Sequence, residues 1–187
     1  LVVLAPQHLL MTQKDTTTVR FRTSDQTVLD SVLVNGTEPS LVGQDASGSL
    51  WSYAATLPNQ GRNEFVIRAR NRAGYACDSV RTVIRDNFAP VLEVDSLPEA
   101  EPRTVTNSSL TVRGRWHDST PTIVTVDGNS VGAVADSGEF AVNVPLDMGS
   151  NGIHLRAVDS FGQVTELKRF VVRQATNEQA PTADPTP

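Results

Sequence analysis

The chain has 187 residues, of which 39% are hydrophobic and 20% charged. That is enough apolar material for packed cores and too little charge for wholesale disorder. A net charge of -5 excludes a global basic field for nucleic acid or an anionic membrane.

Along the chain, the first four residues, LVVL, are too few for a membrane span or a signal core. The segment is therefore expected to be the interior of a longer protein, with no membrane insertion of its own. The first clear strand has Val19, Phe21 and Thr23 on one face and Arg20 and Arg22 on the other. Such alternation marks a strand with one buried side. Asn35-Gly36 follows as a hairpin pair that tolerates positive φ at both centres. Trp51, Tyr53 and Ala55 alternate with Ser52 and Ala54, and Pro58 closes that strand. Phe65, Ile67 and Ala69 alternate with Val66, Arg68 and Arg70, and Gly74 makes the next turn. Cys77, the one cysteine, falls in the strand YACDSVRTVIR, where a small buried thiol is expected.

After the join DNFAP at 86 the pattern begins again. TVRGR at 111 echoes Val19 to Arg22. VTVDGNSV at 124 carries the hairpin pair Asp127-Gly128. DSGEF at 136 and NVPL at 143 frame the strand of Phe140, Val142 and Val144, with Pro145 at its end. GSNGIHLRAVDSFG at 149 supplies Ile153, Leu155 and Ala157 and turns at Gly162. Val112 stands 93 residues after Val19, and Gly162 stands 88 after Gly74. A period of that size is a domain rather than a solenoid repeat. No window carries a helical stripe. The tail NEQAPTADPTP, with three prolines and no large apolar residue, reads as a disordered linker.

The expected fold is therefore all-β: two tandem immunoglobulin-like β-sandwich domains of about seven strands each. They are bounded at 1–86 and 91–174, with a short linker at 87–90 and a proline-rich tail at 175–187.

Candidate chemistry is sparse. His8, His117 and His154 belong to no nucleophile or zinc motif, with His117 expected in a loop and His154 outward on a strand. Threading the strands gathers Asp118, Asp136 and Asp159 in loops at one end of the second domain, where Asp86 and Asn87 of the join also arrive. Asp25, Asp45 and Asn71 fill the matching loops of the first. Calcium, which takes six to eight oxygens, is the cofactor such donors would hold. The competing reading makes the same residues turn formers that accept bonds from their own backbone. Trp51, Tyr53 and Trp116 fall on inward positions, which leaves Tyr75 at a hairpin tip as the exposed ring. Arg20, Arg22, Arg68, Arg70, Arg113, Arg115 and Arg156 form outward rows, read as solvated sheet faces.

These marks together resemble bacterial immunoglobulin-like repeat domains of the glucodextranase-accessory type. The second half carries the resemblance best, through TVRGR, VTVDG, DSGEF, NVPL and the DSFG turn. The first half departs from it, with Phe21 where the family prefers glycine and Asn71 for the turn aspartate. The resemblance implies a non-catalytic stalk, adhesin or spacer segment of a secreted or cell-surface bacterial protein, with the periplasm as the other location. The alternative is an accessory module that binds a glycan or a protein beside a secreted enzyme. Neighbouring domains of a larger chain are the implied partners, and nucleic acid is not among them.

Overall fold

A computed structural model describes residues 1–24, 28–99 and 101–176. Asp25 and the proline-rich tail from 177 lie outside the described residues. The chain divides into two compact units, Leu1–Phe88 and Ala89–Pro187, and every described element is a strand.

Unit 1 contains β1 (Val2–Ala5), β2 (Leu10–Thr12), β3 (Thr16–Thr23), β4 (Leu29–Val34), β5 (Ser40–Asp45), β6 (Gly48–Thr56), β7 (Gly61–Asn71) and β8 (Ala76–Arg85). They form two four-stranded sheets, β1-β3-β6-β5 and β2-β8-β7-β4. All neighbours are antiparallel except β2 and β8. This is the strand order of an immunoglobulin-like sandwich, with its first strand divided between the sheets. That division makes eight strands rather than seven. The alternation read from the sequence decides which side faces in. Phe65, Ile67 and Ala69 of β7 are buried, while Val66, Arg68 and Arg70 are exposed. Val19 and Phe21 of β3 meet them from the other sheet, with Val32, Val34, Leu57 and Val83 in one cluster. Burying a side chain such as Phe21 is worth about 1.5–3 kcal/mol.

Unit 2 is built from fewer, longer strands: β9 (Val91–Val94), β10 (Arg103–Val105), β11 (Ser109–Val126), β12 (Asn129–Pro145), β13 (Gly149–Val158) and β14 (Val164–Arg173). β11 pairs with β9 and with the end of β12 through its first half, and with β13 and the start of β12 through its second. The register shifts between His117 and Thr122, where Thr120 and Thr122 are fully buried. Such irregularities let a strand change sheets. One hydrogen-bonded ribbon thereby folds over a single core that joins Val112 and Trp116 to Val124, Val126, Ile153 and Leu155.

The two cores place their rings differently. In unit 1 the Trp51 Nε1 donates to the Thr23 hydroxyl across the strand pair at 2.8 Å, and Phe21 is the residue paired opposite Trp51. In unit 2 the indole sits on the opposite strand. Trp116 lies over Gly132 and Gly138, and Phe140 lies over Gly114. A Cβ at Gly138 would stand 2.4 Å from the Trp116 ring, and one at Gly114 would stand 2.3 Å from the Glu93 carbonyl and 2.6 Å from Phe140. The glycine that departs from Phe21 is thus a packing requirement of the aromatic ring beside it.

Outward positions carry cross-strand ion pairs. Arg68 grips Asp78 with two bonds, at 2.8 and 2.6 Å. Arg115 pairs with Glu93 opposite it, and Arg156 with Glu166 at 3.2 Å. The Asp78 carboxyl is held below its usual range by the Arg68 hydrogen bond. The Asp45 carboxyl is held down first by the Ser47 amide and then by Arg22.

The packing around Gly114 yields a direct test. Gly114→Ala should destabilise unit 2 by about 1–3 kcal/mol, because neither the Glu93 backbone nor the Phe140 ring has room to yield. Urea unfolding followed by Trp116 fluorescence measures it. An unchanged midpoint would show that the ring does not need the glycine.

Candidate functional site: the turn carboxylates and exposed side chains

Each unit ends its strands with side-chain locks on the main chain. At the first hairpin, the Asn35 amide donates to the Val66 carbonyl at 2.9 Å, and its Oδ1 accepts from the Val66 amide at 2.7 Å. Asp127 does the same in unit 2, accepting from the His154 amide at 2.8 Å. Both residues take positive φ, 48° in each case, which short polar side chains tolerate best. The next turn is held by an asparagine amide. Asn63 donates to the Asn59 and Gly61 carbonyls and accepts from the Asn59 amide. Asn151 makes the corresponding three bonds to Asp147 and Gly149. At the following hairpin Asn71 Oδ1 takes the Tyr75 amide at 3.0 Å. Asp159 takes the Phe161 and Gln163 amides at 2.8 and 2.7 Å. Arg85 and Arg173, in the last strands, reach the carbonyls of Leu57 and Leu146 at 2.8 and 3.0 Å. The sequence reading does not find the Asn63 and Asn151 locks or this arginine pair; recurrence of N/D-x-G-x-N, as Asn59 to Asn63 and Asp147 to Asn151, is the signal available.

The five residues expected to serve calcium fall in different settings. Asp159 is buried in the turn after β13, and its second oxygen accepts from Gln163 Nε2 at 2.8 Å. Asp118 lies within β11, not in a loop, because that strand continues through its irregularity. It accepts from the Ser119 amide at 2.7 Å and the Thr122 hydroxyl at 3.3 Å. Asp118 and Asp159 bring a carboxylate oxygen each within 4.8 Å of one another. Asp136 stands exposed within β12, again in a strand where a loop was expected. Asp86, at the end of unit 1, is fully buried and accepts from Gln60 Nε2 at 2.9 Å and the Phe88 amide at 3.4 Å. Asn87 beside it is half-buried.

The remaining candidates are placed as follows. His8 Nδ1 accepts from the Thr82 amide at 3.4 Å. His154 lies on β13 with Nε2 3.7 Å from Glu166. His117 is exposed on β11 opposite Ser137, so it too belongs to a strand rather than a loop. Cys77 is exposed, which corrects the expected buried thiol. It sits in the part of β8 that β2 does not cover, since β2 pairs only with Val83–Arg85. Among the rings, Tyr75 is 77% exposed at its hairpin tip, as its position suggests. Phe88 and Phe170 are also exposed. Phe170 covers the cross-strand Gly152, whose Cβ would touch the ring at 3.5 Å. Trp51 and Tyr53 are half-buried against the unit 1 core and Trp116 is buried in that of unit 2. Among the described residues no helix is long and apolar enough to cross a membrane.

No curated protein matches the chain. Among solved structures, the fibronectin(III)-like modules of Clostridium thermocellum CbhA are similar at 16% identity and a TM-score of 0.39, over 93% of this chain and 94% of that one. Titin A168169 is similar at 10% identity and a TM-score of 0.45, over 92% and 96%. The Bacteroides ovatus mixed-linkage glucan utilization locus SGBP-B, in complex with a mixed-linkage heptasaccharide, is similar at 14% identity and a TM-score of 0.27, over 92% and 44%. These scores are too low to carry those proteins' functions to this chain. The family model of glucodextranase, domain B, matches residues 90–175, so that stretch is similar to an immunoglobulin-like domain of that type.

Proposed function

We propose that the chain is a non-catalytic structural segment of a secreted or cell-surface bacterial protein, built from two tandem copies of one sandwich module. It acts as a stalk, adhesin segment or spacer between neighbouring domains of a larger polypeptide. The observation that supports this reading is the recurrence of the same turn locks in two separately cored units. Asn35, Asn63, Asn71 and Arg85 do in unit 1 what Asp127, Asn151, Asp159 and Arg173 do in unit 2. Those side chains secure the fold, and a module whose polar side chains are spent on its own turns is suited to bearing load or setting a distance.

The alternative is an accessory module that binds a glycan beside a secreted enzyme. A glycan platform draws most of its affinity from stacked rings. Here the most exposed ring, Tyr75, projects from a hairpin tip, and Phe170 is spent on covering a glycine. A glycan array probed with the whole chain separates the two readings. The spacer reading expects no binding above background. Binding that Tyr75→Ala abolishes would establish the accessory role instead.

A cation reading is favoured by one further observation, the closeness of Asp118 and Asp159 within unit 2. We propose those two carboxylates as oxygen donors to calcium, whose charge would relieve their mutual repulsion. Calcium at millimolar concentration should then raise the thermal midpoint relative to chelator. Asp118→Asn should abolish that rise while leaving the midpoint in chelator equal or higher. Superimposed melting curves would end the cation reading and leave both carboxylates as acceptors for their own neighbouring groups.

A further inference from the structure

We propose that unit 1 carries an acceptor edge for an extended basic peptide, which adds as a strand to β4 beside a groove floored by Trp51. β4 is the last strand of its sheet. Val34 exchanges both main-chain bonds with Thr37, at 2.8 and 2.9 Å, on the side away from β7. In an antiparallel ladder, main-chain groups two residues apart point the same way. Val32 therefore offers its N–H and C=O outward, and no strand lies beyond it among the described residues.

Unit 2 shows what that position accepts. There the chain returns after the Asp127-Gly128 turn and runs along the strand, with Asn129 opposite Val126, Val131 opposite Val124 and Ala135 opposite Thr122. In unit 1 the return stops at Thr37. Pro39, which has no N–H, is buried two residues later, and the chain crosses to β5 in the other sheet. The stretch that unit 2 covers with its own residues is left open in unit 1.

The chemistry beside the open edge favours a cationic occupant. A groove of about 200 Å³ is lined by Leu29, Asp30, Val32, Glu38, Pro39 and Trp51. The Asp30 and Glu38 side chains are exposed and make no ion pair among the described residues. Trp51 is half-buried, with its Nε1 already donated to Thr23, so its ring rather than its N–H is presented. An edge of main-chain donors and acceptors, an indole face and two free carboxylates together suit an extended peptide bearing arginine or lysine. A second copy of this chain suits it poorly. Two such edges side by side would gather four carboxylates along one seam, and like charges across a strand pair destabilise it.

The test is an amide-resolved NMR titration of the whole chain. The probes are a short synthetic peptide of alternating valine and arginine and its valine–aspartate counterpart. The arginine peptide should shift the Val32 amide, slow its hydrogen exchange and bind more tightly than the aspartate peptide. The Asp30→Asn, Glu38→Gln double variant should weaken that binding by about tenfold or more. Asp30→Lys with Glu38→Lys should reverse the preference toward the aspartate peptide, a gain that misfolding does not produce. Equal binding of both peptides, or shifts that avoid β4, would overturn the proposal. So would a Val32 amide already protected without peptide in a sample that sediments as a dimer, which would assign the edge to a second copy.

Discussion

The long central strands of this protein each have one oily face, and the architecture follows from the need to hide it. Phe65, Ile67 and Ala69 in one unit, and Ile153, Leu155 and Ala157 in the other, point inward at every second residue. A single sheet leaves such a face in water, so the chain closes a second sheet over it. Each unit achieves this with its own residues: one cluster around Val19, Phe21 and Ile67, another around Val112, Val124 and Leu155.

Closing the sandwich leaves a polar problem at its ends, because each turn carries main-chain groups that the ladders do not use. Asparagine and aspartate solve it repeatedly. Asn63 and Asn151 each present an amide to two carbonyls and an oxygen to one N–H, which only a carboxamide side chain can do. Where the shared lock is a single accepted N–H, either residue serves, as Asn35 and Asp127 or Asn71 and Asp159 do. The exposed faces are balanced differently, by arginines set directly opposite carboxylates, as in Arg68 with Asp78.

Much of this was legible in the sequence. Alternation gave the inward residues correctly, and Asn35-Gly36, Asp127-Gly128, Gly74 and Gly162 marked their turns. What remained hidden was what depends on contact across strands. Nothing local in the sequence couples Gly114 to Phe140, or Gly132 and Gly138 to Trp116. The arginine rows were visible but their acidic partners were not, since cross-strand neighbours are far apart in the chain. Residue type alone places Cys77 inside, whereas the uncovered end of β8 leaves it in solvent. Asp118 and Asp136 look like loop residues in the sequence, because alternation does not reveal that their strands run on through an irregularity.

Two self-sufficient interiors exist in this chain, each closed by its own residues. The decisive experiment is to express residues 1–88 and 89–176 as separate polypeptides. Each should give a β-rich circular dichroism spectrum, dispersed amide resonances and a cooperative thermal transition of its own. A half that remains unfolded alone and gains structure only when the other is added would contradict it.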